Sequence, residues 1–394
     1  MLAARIWLAR SGFALASLSP AAALAAESPA GAEARPAAEP AVIDSGISSE
    51  AAASQDSNQP RVPFRASTLY WDNAASADSL GVGQDYQSRN PVYEMTFGLR
   101  PRYYFHDVEA ESLSVRGDIA LVREFTDSDS TTERGEWTFT DAELWLAYVR
   151  RVNDSPGATT DLVLRAPQLI LPTSKVSASN GKILGLGAGV GVEQLVPLRG
   201  DRASFLSKAL LRANARYVYQ FVSSTVPTSD DVDRVRLGPD GRSLPSDQIS
   251  GSAFPLHQAA ISASAEVELV RDLTLLTELG LRYAHRRALN DRVEVCGVVV
   301  TGCAEVEARE DAPRYGVSTL FNVELGYELT KQLALSIGYS NLTGQLGADG
   351  QRRQPFYSHD ARGYFTVTLA LDELYLAAAG GRTTAEAAPV THQY

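Results

Sequence analysis

From residue 62 onward, apolar side chains return at every second position, in runs of ten residues or more. Between Pro91 and Phe105, one set holds Tyr93, Met95, Phe97, Leu99, Tyr103 and Phe105, and the other holds Glu94, Thr96, Gly98, Arg100 and Arg102. Successive side chains of a strand point to opposite faces, so each such run is an extended strand with one greasy and one wet surface. A helix would scatter the same residues around its circumference.

The pattern recurs along the chain. Leu113, Val115, Ile119 and Leu121 alternate with Ser114, Arg116 and Asp118; Leu211, Ala213, Ala215, Tyr217, Tyr219 and Phe221 alternate with Arg212, Asn214, Arg216 and Gln220. Later runs set Ile261, Leu279, Leu281, Val323, Leu325 and Ile337 against Glu266, Glu278, Arg282 and Glu324. Strands are predicted at 62–72, 91–105, 112–125, 136–150, 159–171, 182–196, 205–222, 255–270, 273–285, 314–329, 333–342 and 361–376. Pro101 and Pro167 fall inside two of them, and the phase slips between Phe139 and Ala142 and near Pro167. A strand proline removes a ladder hydrogen bond, so bulges are expected there.

The connections alternate in length. Those at 73–90, 126–135, 172–181, 223–254, 286–313 and 343–360 are long, while 106–111, 151–158, 197–204, 271–272 and 330–332 are short. Short turns at one end and long loops at the other describe an up-and-down membrane barrel, and an even strand number puts both termini at the short-turn end. The expectation is an all-β fold, a transmembrane antiparallel up-and-down β-barrel of about 12 strands spanning 61–376. A soluble β-sandwich also alternates. However, the wet face here mixes Gly, Ser, Thr and Ala with charges of both signs, and most strands exceed the about 9–11 residues needed to cross a bilayer at a tilt. Lipid satisfies no backbone polar group, so strands cross it only in a closed barrel. Aromatics near the strand ends fit an interfacial girdle. Tyr70, Trp71, Phe125, Trp137, Tyr219, Phe221, Tyr283, Tyr315 and Tyr339 are assigned to the long-loop end, and Tyr103, Phe105, Tyr148, Tyr327 and Tyr375 to the other.

The first 25 residues read as an export signal: Arg5 and Arg10, an apolar stretch from Ser11 to Ala26, and a small-residue cleavage site at Ala23-Leu24-Ala25. Residues 26–60 are rich in Ala, Pro, Glu, Ser and Gln, a composition that buries too little surface to fold, and are expected to form a disordered periplasmic tail. Residues 377–394 read as a polar C-terminal tail. The placement that follows is the outer membrane of a Gram-negative bacterium, with both termini periplasmic.

The export signal, the dyad alternation, the aromatic girdles and the loop asymmetry together resemble bacterial outer-membrane β-barrel proteins as a class, over about residues 62–376. Leu169-Ile-Leu-Pro-Thr-Ser174 followed by Gly185-Leu-Gly-Ala-Gly189 is similar to strand–loop–strand segments of barrels proposed to be transporters. The resemblance implies outer-membrane lipid and the barrel-assembly machinery as partners.

The inward face supplies the candidate chemistry. Arg100, Arg116, Arg165, Arg212, Arg216, Arg282 and Arg362, with Asn214, face Asp118, Glu143, Glu266, Glu278 and Glu324 as the candidate lumen lining. Such a lumen either filters small solutes through charged rings or is closed by its own salt bridges. Two further readings are a hydrolase at the rim using His257 or His285, with His359 nearby, and a receptor or adhesin using loops 223–254 and 286–313. There is no G-x-S-x-G or other nucleophile motif to favour the hydrolase. Asp230, Asp231 and Asp233, or Asp127 and Asp129, lack EF-hand spacing, and solvated surface charge is the simpler account. No phosphate loop, zinc pattern or dinucleotide fingerprint is present, so no cofactor and no metal are expected. The net charge of −11 lends nothing to nucleic-acid binding. The only cysteines, Cys296 and Cys303, are expected to form a loop disulfide, which export permits.

Overall fold

The computed structural model describes residues 62–77, 92–126, 135–155, 157–179, 181–198, 206–223, 254–270, 272–287, 292–297, 300–307, 314–345, 352–358 and 361–383. The export signal, the N-terminal tail, His359, and the aspartates at 127, 129, 230, 231 and 233 lie outside them.

The strands are β1 (Thr68–Ser76), β2 (Tyr93–Arg100), β3 (Arg102–Val108), β4 (Glu111–Glu124), β5 (Trp137–Phe139), β6 (Ala142–Ser155), β7 (Ala158–Leu171), β8 (Lys182–Pro197), β9 (Lys208–Val222), β10 (Pro255–Val270), β11 (Leu273–Arg286), β12 (Arg292–Gly297), β13 (Val300–Glu307), β14 (Tyr315–Thr330), β15 (Leu333–Gly344) and β16 (Arg362–Ala370). Two helices accompany them, α1 (Lys175–Ser179) and α2 (Leu371–Thr383). Neighbours pair antiparallel in chain order, and β1 pairs with β16 to close the ring. β2 and β3 are one stave interrupted at Pro101, and β5 and β6 are one stave interrupted at Thr140 and Asp141. β12 and β13 pair only with each other. The barrel therefore has twelve staves.

The anticipated irregularities fall where the prolines and phase slips put them. Pro101 breaks the β2–β3 stave, and the β7–β8 register shifts between Arg165 and Gln168, across Pro167. Four expectations are corrected. The first strand begins at Thr68 and runs to Ser76, because residues 63–66 form turns and Ala66 has a positive φ of 56°. Tyr70 consequently faces the lumen near the short-turn end instead of joining a girdle. The last strand, expected through 376, stops at Ala370 and gives way to α2. The long connection 286–313 contains the β12–β13 hairpin, in which Cys296 stands opposite Cys303.

The distribution of side chains is inverted relative to a water-soluble protein. Mid-strand Ile261 and Ile337 are 56% and 61% exposed on the outer wall, while inward Ser114 and Asn322 are 0% exposed. Water would penalise such an apolar belt, whereas lipid matches it. At the short-turn end the first and last segments clasp each other. Ala66 N–H donates to Asp372 Oδ2 (2.8 Å), Leu371 N–H donates to Ser67 O (2.9 Å), and the Phe64 and Tyr375 rings meet edge-on at 5.4 Å. At the opposite end, part of the β15–β16 connection lies on the outside of the wall. Asn341 Nδ2 donates to Pro355 O (2.8 Å), Ser358 Oγ donates to Asn341 Oδ1 (2.6 Å), and Phe356 packs on Phe321.

Candidate functional site: the lumen

The interior has two differently built halves. One is formed by β1, β2, β4 and β14–β16. There, Arg100 Nε donates to Asp118 Oδ2 (2.9 Å), the same guanidinium lies 4.2 Å over the Tyr70 ring, and Tyr70 Oη donates to Asp118 Oδ1 (3.4 Å). Thr366 Oγ1 donates to Asp72 Oδ1 (2.7 Å), and Arg362 pairs with Glu94. The Tyr364 hydroxyl donates to Glu324 Oε2 (2.7 Å) and lies 2.9 Å from the side-chain amide of Asn322. A hydroxyl has one proton, so it donates to either Glu324 Oε2 or Asn322 Oδ1 at a time.

The two tyrosine rings fit because of glycine on the neighbouring strand. A Cβ on Gly98 would sit 2.0 Å from Tyr70 Cζ, and one on Gly338 would sit 2.2 Å from Tyr364 Cζ. Each ring lies flat across the groove that its glycine leaves empty. Arg100, Glu324 and Arg362, among the candidate lumen-lining residues, are held in this packed wall.

The other half, chiefly β4 across to β11 with Arg102, Leu320 and Leu342 at its edges, borders a cavity of about 200 Å³. That is below the roughly 300–1,000 Å³ of drug-sized ligand sites, and it suits water, ions and small solutes. Of the candidate residues, Arg116, Asp118, Glu143, Arg165, Arg212, Asn214, Arg216, Glu278 and Arg282 line it. Glu266 lies just behind, accepting from Arg212 Nη2 (2.9 Å). Glu143 accepts from Gln168 Nε2 (2.9 Å) and stands 3.4 Å from Arg216 Nη1. Arg102 and Glu193, inward-facing by the phase of the sequence, also line the cavity, as do Trp145, Gln168 and Gln258, which that phase did not single out. Gln168 reaches the lumen only because the register shift after Arg165 restores its phase. Trp145 is an apolar side chain on a wet face, which alternation alone does not anticipate.

Register arranges this half in oblique bands. Asp118, Glu143, Ile170, Gly185 and Gln220 are cross-strand partners in one band. Two residues further along each strand, Arg116, Trp145, Gln168, Gly187, Val218 and Gln258 form the next. The following band holds Ser114, Ala147, Arg165, Gly189, Arg216, Ala260, Arg282 and Ser318. Neighbouring bands are separated by about 7 Å, two residues of strand rise. Gly185, Gly187, Gly189 and Gly191 on β8 contribute no side chains, and the space beside them is taken by Ile170 and Gln220 at Gly185, by Val218 at Gly187 and by Asn214 at Gly191.

The rim histidines are not part of this cavity. His257 and His285 are cross-strand partners with rings 5.8 Å apart on the outer face, among Tyr217, Tyr219 and Tyr283. His257 Nδ1 is 2.6 Å from Tyr217 Oη. No carboxylate or serine hydroxyl bonds either ring among the described residues. No cluster of metal-ligating side chains occurs among them either.

The chain is similar to several solved outer-membrane barrels. An outer-membrane channel from Pseudomonas putida F1 shares 10% identity, covering 80% of this chain and 98% of that one, with a TM-score of 0.43. The KdgM porin shares 6% identity over 77% of this chain and 99% of its own, with a TM-score of 0.31. The outer-membrane phospholipase A of Escherichia coli shares 11% identity over 80% of this chain and 94% of its own, with a TM-score of 0.31. No family model and no curated protein matches the sequence. At such identities and scores, the solutes and activities of those proteins do not transfer to this chain.

Proposed function

We propose that this protein is an outer-membrane channel that passes small solutes through a charged lumen, with both termini in the periplasm. The observation that carries the reading is the polar cavity on the β4–β11 side of a closed, lipid-facing barrel. Charged and amide side chains surround it, and this surface stays hydrated at little cost. The described part of the β15–β16 connection supports the same reading, since it lies outside the wall instead of folding into the lumen.

Conduction through the cavity brings solutes past Arg212 and Arg216, so R212A and R216A are expected to change single-channel conductance in a planar bilayer. H285A is expected to leave conductance untouched, because that ring faces outward. A folded barrel that carries no current in any orientation or salt would overturn the channel reading.

A further inference from the structure

We infer that the lumen holds an oxyanion-binding site formed by Arg165, Arg216 and Arg282, which selects anionic solutes bearing a carboxylate or phosphate group. The inference rests on the channel reading for its physiological sense, and on the following geometry for the site itself.

The three arginines stand on alternate strands, β7, β9 and β11, in one unbroken line of cross-strand partners. Arg165 pairs with Gly189, Gly189 with Arg216, Arg216 with Ala260, and Ala260 with Arg282. Alternate strands are about 10 Å apart, and a guanidinium is long enough to bridge half of that gap. Gly189 and Ala260 occupy the intervening positions, so nothing larger than a methyl projects from them. Ser114 and Ala147 continue the line on one side and Ser318 on the other. The line therefore carries three positive charges and no carboxylate.

One carboxylate, Glu143, stands at the site and pairs with Arg216, and the others are held elsewhere. Asp118 is held by Arg100, and Glu143 by Gln168 and Arg216. Glu193 and Glu278 lie two bands away, flanking Arg212, whose partner is Glu266. Arg282 faces Arg216 and Glu143, yet it makes no hydrogen bond or ion pair among the described residues. Two further buried donors at the same cavity, Trp145 Nε1 and Arg212 Nε, also have no hydrogen-bond partner. One buried acceptor at the cavity, Gln168 Oε1, also lacks a partner, but the unpartnered donors outnumber it, and a ligand that brings acceptors would satisfy them. A guanidinium matches a carboxylate or phosphate with two parallel N–H donors, which a halide ion cannot use.

The test combines selectivity with block. In a KCl gradient across a planar bilayer, the wild-type reversal potential is expected to show chloride favoured over potassium. Millimolar phosphate or malonate on one side is expected to block the chloride current. R282Q should weaken that block by about tenfold or more, the loss of one charged hydrogen-bonding pair. R282K keeps the charge without the planar fork, so it should retain chloride preference and still lose most of the block. A cation-preferring channel, or equal block in wild type and R282Q, overturns the inference while leaving the channel reading intact. Should R282Q fail to fold, R165Q tests the same line from its other end. A barrel without current would remove the channel reading, and the site would then be read by melting in detergent at constant ionic strength. A rise in Tm with phosphate over chloride that disappears in R282Q upholds the site, and no rise in the wild type rejects it.

Discussion

The two halves of the lumen wall use the same residue types to opposite ends. In the wall of β1, β2 and β14–β16, each charge or hydroxyl is saturated by neighbours: Arg100 by Asp118 and Tyr70, Tyr364 by Glu324 and Asn322, Asp72 by Thr366. Across from it, between β6 and β11, arginines surround a space and Arg282 is left without a bonded partner among the described residues. The difference lies in what stands beside each group. Tyrosines lie over Gly98 and Gly338 and fill the packed half, whereas no tyrosine ring lies across the β8 glycines, whose neighbours are Ile170, Gln220, Val218 and Asn214. A lumen charge thus acts as structural filler or as a solute contact according to its cross-strand neighbours.

The largest expected contrast comes from cutting one arginine in each half. R100L takes the Arg100 ion pair from buried Asp118 and is expected to cost about 3–5 kcal/mol. R282L removes no ion pair and is expected to cost less than about 1 kcal/mol, as measured by urea unfolding of the detergent-folded barrel. Equal losses would erase the distinction between the halves.

Next come the glycines. G98A and G338A drive a methyl into a tyrosine ring and are expected to cost about 1–3 kcal/mol by the same measurement. For G189A, the nearest atom to the new methyl is Ala215 O at 3.2 Å, and a cost below about 1 kcal/mol is expected. A smaller effect is expected for Y364F, which strips Glu324 of a donor, at about 1–2 kcal/mol. The smallest belongs to the β12–β13 hairpin. Cys296 and Cys303 are expected to titrate as thiols only after reduction, and C296S/C303S is expected to leave the barrel Tm unchanged, because that hairpin shares no ladder with the staves.

The staves and their two faces were legible because alternation is local: Leu279 and Ile337 announce the lipid face within a few residues of sequence. The site was legible only in part. Inward phase put Arg116, Arg165, Arg212, Asn214, Arg216, Glu278 and Arg282 among the candidates, and all line the cavity. Phase says nothing of partners, which come from strands dozens or hundreds of residues away. Arg362 and Glu94 meet from opposite ends of the barrel sequence, and Arg100 finds Asp118 only after the chain has broken at Pro101. Gln168 hid behind a register shift, and Tyr70 behind the versatility of a residue that suits a girdle as well as a lumen. The turn to helix at Leu371 was masked by Leu374, Tyr375 and Leu376, which continue a plausible strand composition.

The clasp between residues 64–67 and the start of α2 has a consequence for how the ring comes together. Most neighbouring staves are joined by a hairpin or a single connection, but β1 and β16 meet across nearly the whole barrel sequence. Closure of that seam carries the largest loop entropy and belongs late in assembly. Ala66, Ser67, Leu371 and Asp372 hold the two strands together at one end of the seam, so the remaining β1–β16 ladder forms as a zipper from an anchored end. The clasp thereby acts on the rate at which an open sheet becomes a sealed one, over and above the few hydrogen bonds it adds to the finished wall.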